Sequence, residues 1–269
     1  MPLLRRAASG LLAALSLAVA QPAAAQTAAG DWSGPYLGFA AGAKLGDATW
    51  TATQLNGGGD ALTPFTPVDG SSPRSYDLTG ARIGGYAGFN WQDAAWVFGP
   101  EIDFGWSNIA QDKAYLPGCA PGCGGFFPTP GPNDTAAVRL KWDIDITGRG
   151  GYLVAPGVLL YGKAGLALQQ AKTTGVCLSP TDNSAYCFTP GPQSPIAHDL
   201  TLVGFTVGGG LETKLWDNWL LRGEYRFSYF PSVDDTLGFQ PSTTGLDNTY
   251  RYRLSAQTHT FTLGLAYRF

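Results

Sequence analysis

The residues of this 269-residue chain whose types and spacing could do chemistry are few: four cysteines, two histidines, and carboxylates that recur two positions apart. Cys119 and Cys123 share one Pro/Gly-rich stretch, and Cys177 and Cys187 share another. Structural zinc sites favour a step of about two to four residues in both halves, and Cys177 to Cys187 is wider than that. Two local disulfides, each stapling one loop, are the simplest pairing, and they place the chain in an oxidising compartment. A lipid hydrolase of the bacterial surface would set a histidine beside a serine, often as His-x-Ser, so that the imidazole takes the hydroxyl proton. Here His259 is followed by Thr260 and Phe261, and His198 by Asp199 and Leu200, so neither fits. Glu101/Asp103 and Asp143/Asp145 look like acid pairs. In an extended strand each pair shares a face, and arginine partners explain them better than hydrolysis. Gly208-Gly209-Gly210 lacks the Lys-Ser/Thr ending of a phosphate loop. No catalytic residue, metal or cofactor is expected.

The elements that position these residues follow from composition. Glycine numbers 37, aromatics make up 13% and charged residues only 14%, a mixture that favours strands and turns over helices. A mean hydropathy of -0.04, with no long apolar run beyond the N-terminus, excludes a multi-span helical membrane protein. The net charge of -3 and the lack of a basic run exclude nucleic acid as a partner. Residues 1–25 read as a signal peptide: Arg5 and Arg6 give a positive start, Gly10 to Ala20 a short apolar run, and Ala23-Ala24-Ala25 a small-residue cleavage site before Gln26. Residues 26–31 are a short extension, and 32–269 form the domain.

Most of the 19 prolines fall in four stretches, about 45–74, 109–137, 172–198 and 231–253. Between them the sequence alternates with a period of two. Val138, Leu140, Trp142, Ile144 and Ile146 oppose Arg139, Lys141, Asp143, Asp145 and Thr147; Trp96, Phe98, Ile102, Phe104 and Trp106 oppose Glu101 and Asp103; Phe261 to Phe269 repeats the pattern. Trp219, Leu221, Tyr225, Phe227 and Tyr229 oppose Arg222, Glu224, Arg226 and Ser228 in the same way, and with weaker versions near 32–44, 75–91, 158–171 and 199–215 the count is eight strands. Short turns at Gln92–Ala94, Ala155–Gly157 and Trp216–Asn218 alternate with the long Pro-rich connections. That is the layout of an all-β, eight-stranded antiparallel up-and-down transmembrane β-barrel, with four long surface loops and short periplasmic turns. A lipocalin-like barrel would have to bury the charged set or expose the apolar one. The lumen is then expected to hold Arg82, Glu101, Asp103, Arg139, Lys141, Asp143, Asp145, Arg149, Lys163, Glu212, Lys214, Arg222, Glu224, Arg226 and Arg268, paired into a plug. Trp32, Trp91, Trp96, Trp216, Trp219 and Phe269 are expected to form the periplasmic aromatic girdle, with Trp50, Trp106 and Tyr229 at the opposite one.

Several segments, in order, resemble a known family. Asp31-Trp32-Ser33-Gly34-Pro35-Tyr36-Leu37-Gly38 is followed by Gly84-Gly85-Tyr86-Ala87-Gly88-Phe89-Asn90-Trp91, Phe98-Gly99-Pro100-Glu101-Ile102-Asp103 and Tyr161-Gly162-Lys163-Ala164-Gly165-Leu166-Ala167. Asn218-Trp219, Arg222 to Phe227 and the ending Gly264-Leu265-Ala266-Tyr267-Arg268-Phe269 complete the set. Together they resemble the small outer-membrane barrel proteins of alphaproteobacteria, the porin-like and immunogenic surface antigens related to opacity and OmpA-type barrels. The resemblance implies a surface-exposed barrel in the bacterial outer membrane, among lipid and lipopolysaccharide. It also implies an assembly machinery that reads the C-terminal Phe269. It names no single activity. A structural or surface-interaction role is expected, with a small-solute porin as the alternative. A host or cell-surface ligand would meet the loops, where Phe126-Phe127 beside Cys123 is the best contact candidate.

Overall fold

The computed structural model describes residues 31–56, 68–118, 135–176, 195–239 and 248–269. Within them eight strands close into an antiparallel barrel in chain order. They are β1 (Gly34–Asn56), β2 (Arg74–Asp93), β3 (Trp96–Ala114), β4 (Thr135–Ala155), β5 (Val158–Val176), β6 (Ile196–Trp216), β7 (Trp219–Phe239) and β8 (Asn248–Arg268). The last ladder closes the ring by pairing Tyr36 with Arg268 and continuing to Asn56 and Thr249. The tight turns lie where expected, and Gly157 takes a φ of 79° that suits a residue without a Cβ. The strands run well into the Pro-rich stretches: β1 continues past Leu45 to Asn56 and β7 past Pro231 to Phe239.

The wall changes character along its length. At the turn end, apolar side chains face out: Phe39, Ile102, Phe104, Ile146, Leu166, Phe205 and Leu263 are all about half exposed or more. Charged side chains face in. Toward the loop end the order reverses: Trp50, Tyr76, Leu78, Ile109, Val138, Leu140, Leu202, Phe230, Tyr252 and Leu254 pack into a buried cluster inside the ring, while Asp77, Asn108, Asp112, Asp199 and Arg253 face out. The chain thus follows the membrane rule in one half and the soluble rule in the other.

On most strands the inward positions simply change from charged to apolar, while on β4 and β7 a bulge takes part in the reversal. Leu140 pairs with Ala171 and Asp143 with Gln169, so Lys141 and Trp142 together oppose Gln170. The extra residue flips the face of everything beyond it. Val138 and Leu140 therefore turn inward and Arg139 outward, the opposite of what one uninterrupted alternation from 138 to 147 requires. Phe230 pairs with Ala256 and Val233 with Leu254, so Pro231 and Ser232 form a second bulge, a position that tolerates proline.

Two ladders also stop short. β2 and β3 pair only from Arg82 and Ser107 toward the turns, and β6 and β7 only from Phe205 and Tyr229. Above those rungs the ring parts into two four-stranded sheets, β7-β8-β1-β2 and β3-β4-β5-β6, which face each other across the apolar cluster. Side chains bridge the first seam: Arg74 donates to the carbonyls of Ala114 and Tyr115, and Lys113 to that of Ser75. Across the second, His198 Nδ1 lies 3.1 Å from Asp235 Oδ2.

Candidate functional site

In the membrane half, twelve ionisable side chains fill the lumen, none more than 8% exposed: Lys44, Arg82, Arg149, Lys163, Arg222 and Arg226 against Glu101, Asp103, Asp143, Asp145, Glu212 and Glu224. Six cations balance six carboxylates. They divide into two layers, each neutral in itself.

In the periplasmic layer, Glu101 is the hub. It receives Arg222 Nη2 at 2.7 Å and Lys163 Nζ at 2.9 Å, and the hydroxyl of Tyr36 donates to it at 2.7 Å. Arg149 Nη2 reaches Glu212 at 2.6 Å, and Lys163 also reaches Glu224 at 2.6 Å. Three tyrosines line the layer. Tyr161 donates to Glu224 at 2.6 Å, while the Arg222 guanidinium lies 3.9 Å from the Tyr86 ring centroid and that of Arg149 lies 4.1 Å from Tyr161. Desolvated cation–π contacts of this kind add attraction where no water competes. Small neighbours make room for the rings: a Cβ on Gly38 would sit 2.3 Å from Tyr86.

In the outer layer, Asp143 receives Arg82 at 2.6 Å and Lys44 at 2.9 Å. Arg226 reaches Asp145 at 2.9 Å and Asp103 at 3.2 Å, and Arg82 also binds Asp103. A Cβ on Gly105 would lie 2.2 Å from the Arg82 guanidinium, so glycine is needed there. Oxygens of Asp103, Asp143 and Asp145 converge within 4.8 Å, a spacing that could hold a metal ion. The cationic groups of Arg82, Arg226 and Lys44 already occupy their free faces, so the cluster is charge-balanced by the protein itself.

The plug is capped at both ends. On the loop side lies the apolar cluster already described, where Trp50 stacks 4.7 Å from Tyr252. On the turn side, Trp32 is fully buried in a second cluster with Tyr36, Val97, Leu159 and Leu220. Its backbone N–H donates to Gln92 Oε1 at 2.7 Å, and Lys214 Nζ lies 5.0 Å from its ring centroid. Lys214 and Arg268 bind the carbonyl of Asp31 and so tie this segment across the mouth. The Ser33 amide donates to the Asp31 carboxylate at 2.8 Å and, with Arg268 and Lys214 nearby, holds its pKa below the usual range.

Four of the charges expected in the lumen lie elsewhere. The β4 bulge puts Arg139 on the outer wall, where it donates to the amide oxygen of Asn108 at 3.4 Å. Lys141 pairs outside with Asp199 at 3.0 Å. Lys214 and Arg268 sit at the periplasmic rim. The remaining expected charges are brought together inside, joined by Lys44, Tyr36, Tyr86, Tyr161 and Gln169. Trp32 and Trp50 are not girdle residues, since both are fully buried. Trp91, Trp96, Trp216 and Phe269 remain outward, as do Trp106 and Tyr229 at the other end. The four cysteines, Phe126 and Phe127 lie outside the described residues.

A closed antiparallel ring with an apolar outer band and charges within defines an integral barrel of the bacterial outer membrane. The chain belongs to the outer membrane protein beta-barrel domain family, whose model matches residues 11–269. It is 28% identical to the 31 kDa outer-membrane immunogenic protein of Brucella melitensis, over 95% of this chain and 92% of that one. It is 27% identical to a 22 kDa outer membrane protein of Rhizobium leguminosarum, over 81% and 74%. Among solved structures it is similar to Neisserial surface protein A, at 16% identity, covering 88% of this chain and 98% of that one with a TM-score of 0.36.

Proposed function

We propose that this chain is a sealed, non-catalytic barrel with a structural and surface-interaction role, and not a conducting porin. The observation that carries the reading is the lumen, where six buried cations meet six buried carboxylates between two apolar clusters. Ions crossing it would have to break pairs in a desolvated space, and unpairing a buried charge costs about 3–5 kcal/mol. Purified, refolded protein in planar bilayers is expected to be electrically silent while its migration on gels remains heat-modifiable. Stable conductance steps that change in Arg222→Gln would establish the porin reading instead.

The loops carry the interaction role. Cys119–Cys123 and Cys177–Cys187 bridges would stiffen them and lower the entropy lost when a cell-surface ligand binds at Phe126-Phe127. Peptide mapping without reductant is expected to recover both local pairs; recovery of any cross-loop pair would overturn that connectivity. Residues 1–25 act as the export signal, checked by whether the protein isolated from membranes starts at Gln26. Phe269 acts as the assembly signal, and its deletion is expected to lower the amount of folded barrel in the outer membrane.

A further inference from the structure

The outward turn of β4 leaves an unexplained cluster of positive charge on the barrel's exterior. Going up the outer wall, the apolar band ends at Trp106 on β3, Trp142 on β4, Leu168 on β5 and Val203 on β6, residues joined by the ladders between those strands. Trp106 and Trp142 sit directly opposite each other at this edge. Tryptophan favours the depth at which acyl chains give way to headgroups. Above that edge the outward residues are Lys141 and Arg139 on β4 and Gln170 and Lys172 on β5.

Arg139 and Lys172 are direct cross-strand partners. Like charges placed opposite each other repel. Asp199 faces Lys172 across the β5–β6 ladder but pairs with Lys141 at 3.0 Å, and Asp112 lies diagonal to Arg139 across the β3–β4 ladder, so three cations share two carboxylates here and neither Arg139 nor Lys172 makes an ion pair among the described residues. The residue beside Arg139 on β3 is the small Ala110, and Arg139 itself is exposed. On the opposite wall the corresponding outward residues of β1 and β2 are acidic, Asp47 and Asp77. Among the described outward residues, the positive charge that adjoins the edge of the apolar band therefore lies on the side of β4 and β5, above an aromatic pair; Arg253 on β8 stands farther toward the loops and is paired with Asp234.

We propose that the outer wall of β4 and β5 is a binding site for the phosphate groups of an outer-leaflet glycolipid headgroup, formed by Arg139, Lys141 and Lys172 above Trp106 and Trp142. A phosphate between Arg139 and Lys172 replaces their mutual repulsion with two charge-assisted contacts. The Arg139 fork suits a phosphate oxygen pair, and Lys141 and Lys172 supply point charges at its flanks. The bulge is then functional as well as architectural, since without it Arg139 would face the lumen.

The test is native mass spectrometry of the refolded full-length barrel in neutral detergent, titrated with bisphosphoryl lipid A. Each surface cation is worth about fivefold in attraction to anionic lipid, so R139Q/K141Q/K172Q is expected to bind about a hundredfold more weakly. K172Q alone lies outside the bulge and is expected to lose about fivefold, which keeps the test valid if the triple variant fails to fold. R251Q/R253Q, whose cations lie on the β8 wall, is expected to bind as the parent does. Dephosphorylated lipid A is expected to bind weakly to all forms, and inorganic phosphate in excess to leave lipid binding in place. Equal binding by K172Q and the parent, equal binding of dephosphorylated lipid, or an equal loss in R251Q/R253Q would each overturn the proposal. Displacement by inorganic phosphate would also do so, because the site would then recognise the free anion.

Discussion

Glu101 gathers more of the plug than any other carboxylate, since Arg222, Lys163, Arg149 and Tyr36 all meet it. Glu101→Gln keeps the shape and removes the charge, leaving three cations to share Glu212 and Glu224 in a space without water. The expected cost is about 3–5 kcal/mol, read as a lower urea midpoint for the loss of heat-modifiable migration. A charge-balanced change, Glu101→Gln with Lys163→Met, is expected to cost less than the single change, because no uncompensated charge remains. A double variant weaker than the single would mean that packing, not charge balance, stabilises the layer. Trp32 acts by volume. Trp32→Ala removes the largest side chain of the periplasmic cap, and a cavity of that size costs about 3–5 kcal/mol where the surroundings cannot collapse. If stability were unchanged, the Asp31–Trp32 segment would not be a cap.

At the scale of the strand, what could be read in advance depended on whether alternation was continuous. β3 alternates without a break through Phe98, Glu101, Ile102, Asp103 and Phe104, and its inward and outward sets were legible from spacing alone. β4 was not, because a bulge at Lys141-Trp142 leaves no mark when apolar and charged residues still alternate in sequence on both sides of it. Only the pairing with β5 shows the flip. Lys44 is hidden for a different reason: the inward set of β1 leading to it is Tyr36, Gly38, Ala40 and Gly42, mostly too small to mark a face in the sequence. The side chains they make room for, Tyr86 among them, come from β2 and so depend on partners far away in sequence. The β4 bulge yields a direct prediction. Deleting Lys141 leaves Trp142 alone opposite Gln170, so simple pairing with β5 is restored while Val138 and Leu140 stay inward and Arg139 outward. That variant is expected to resist trypsin in micelles as the parent does. Rapid cleavage of its outer half would show that the extra residue itself, and not only the parity of the faces, is needed there. The two seams predict a matching pattern in amide exchange: β6 above Phe205 and β7 above Tyr229, which lack a ladder with each other, are expected to exchange faster than β8, which is paired on both sides.

At the scale of the whole molecule, two solvents set two rules for one tube. Where lipid surrounds the wall, apolar residues gain nothing by facing inward, so the lumen is left to charge, and charge is tolerable there only when balanced. Where water and headgroups surround it, the same strands bury Trp50, Tyr76, Leu140 and Leu254 between two sheets, as a soluble sandwich does. The balanced plug makes the response to salt diagnostic. Screening acts on charges that ions can approach, over about 10 Å at 0.1 M ionic strength and about 3 Å at 1 M. Pairs such as Lys163–Glu101 and Arg149–Glu212 are closed off by an aromatic cap on one side and an apolar sandwich on the other. Raising NaCl from about 0.1 M to about 1 M is therefore expected to shift the midpoint of the heat-modifiable transition by less than about 2 °C. A solvated lumen would admit counterions and weaken its pairs as exposed ones are weakened. A drop of more than about 5 °C over that range would mean that water reaches the plug, and a conducting path through the barrel would follow.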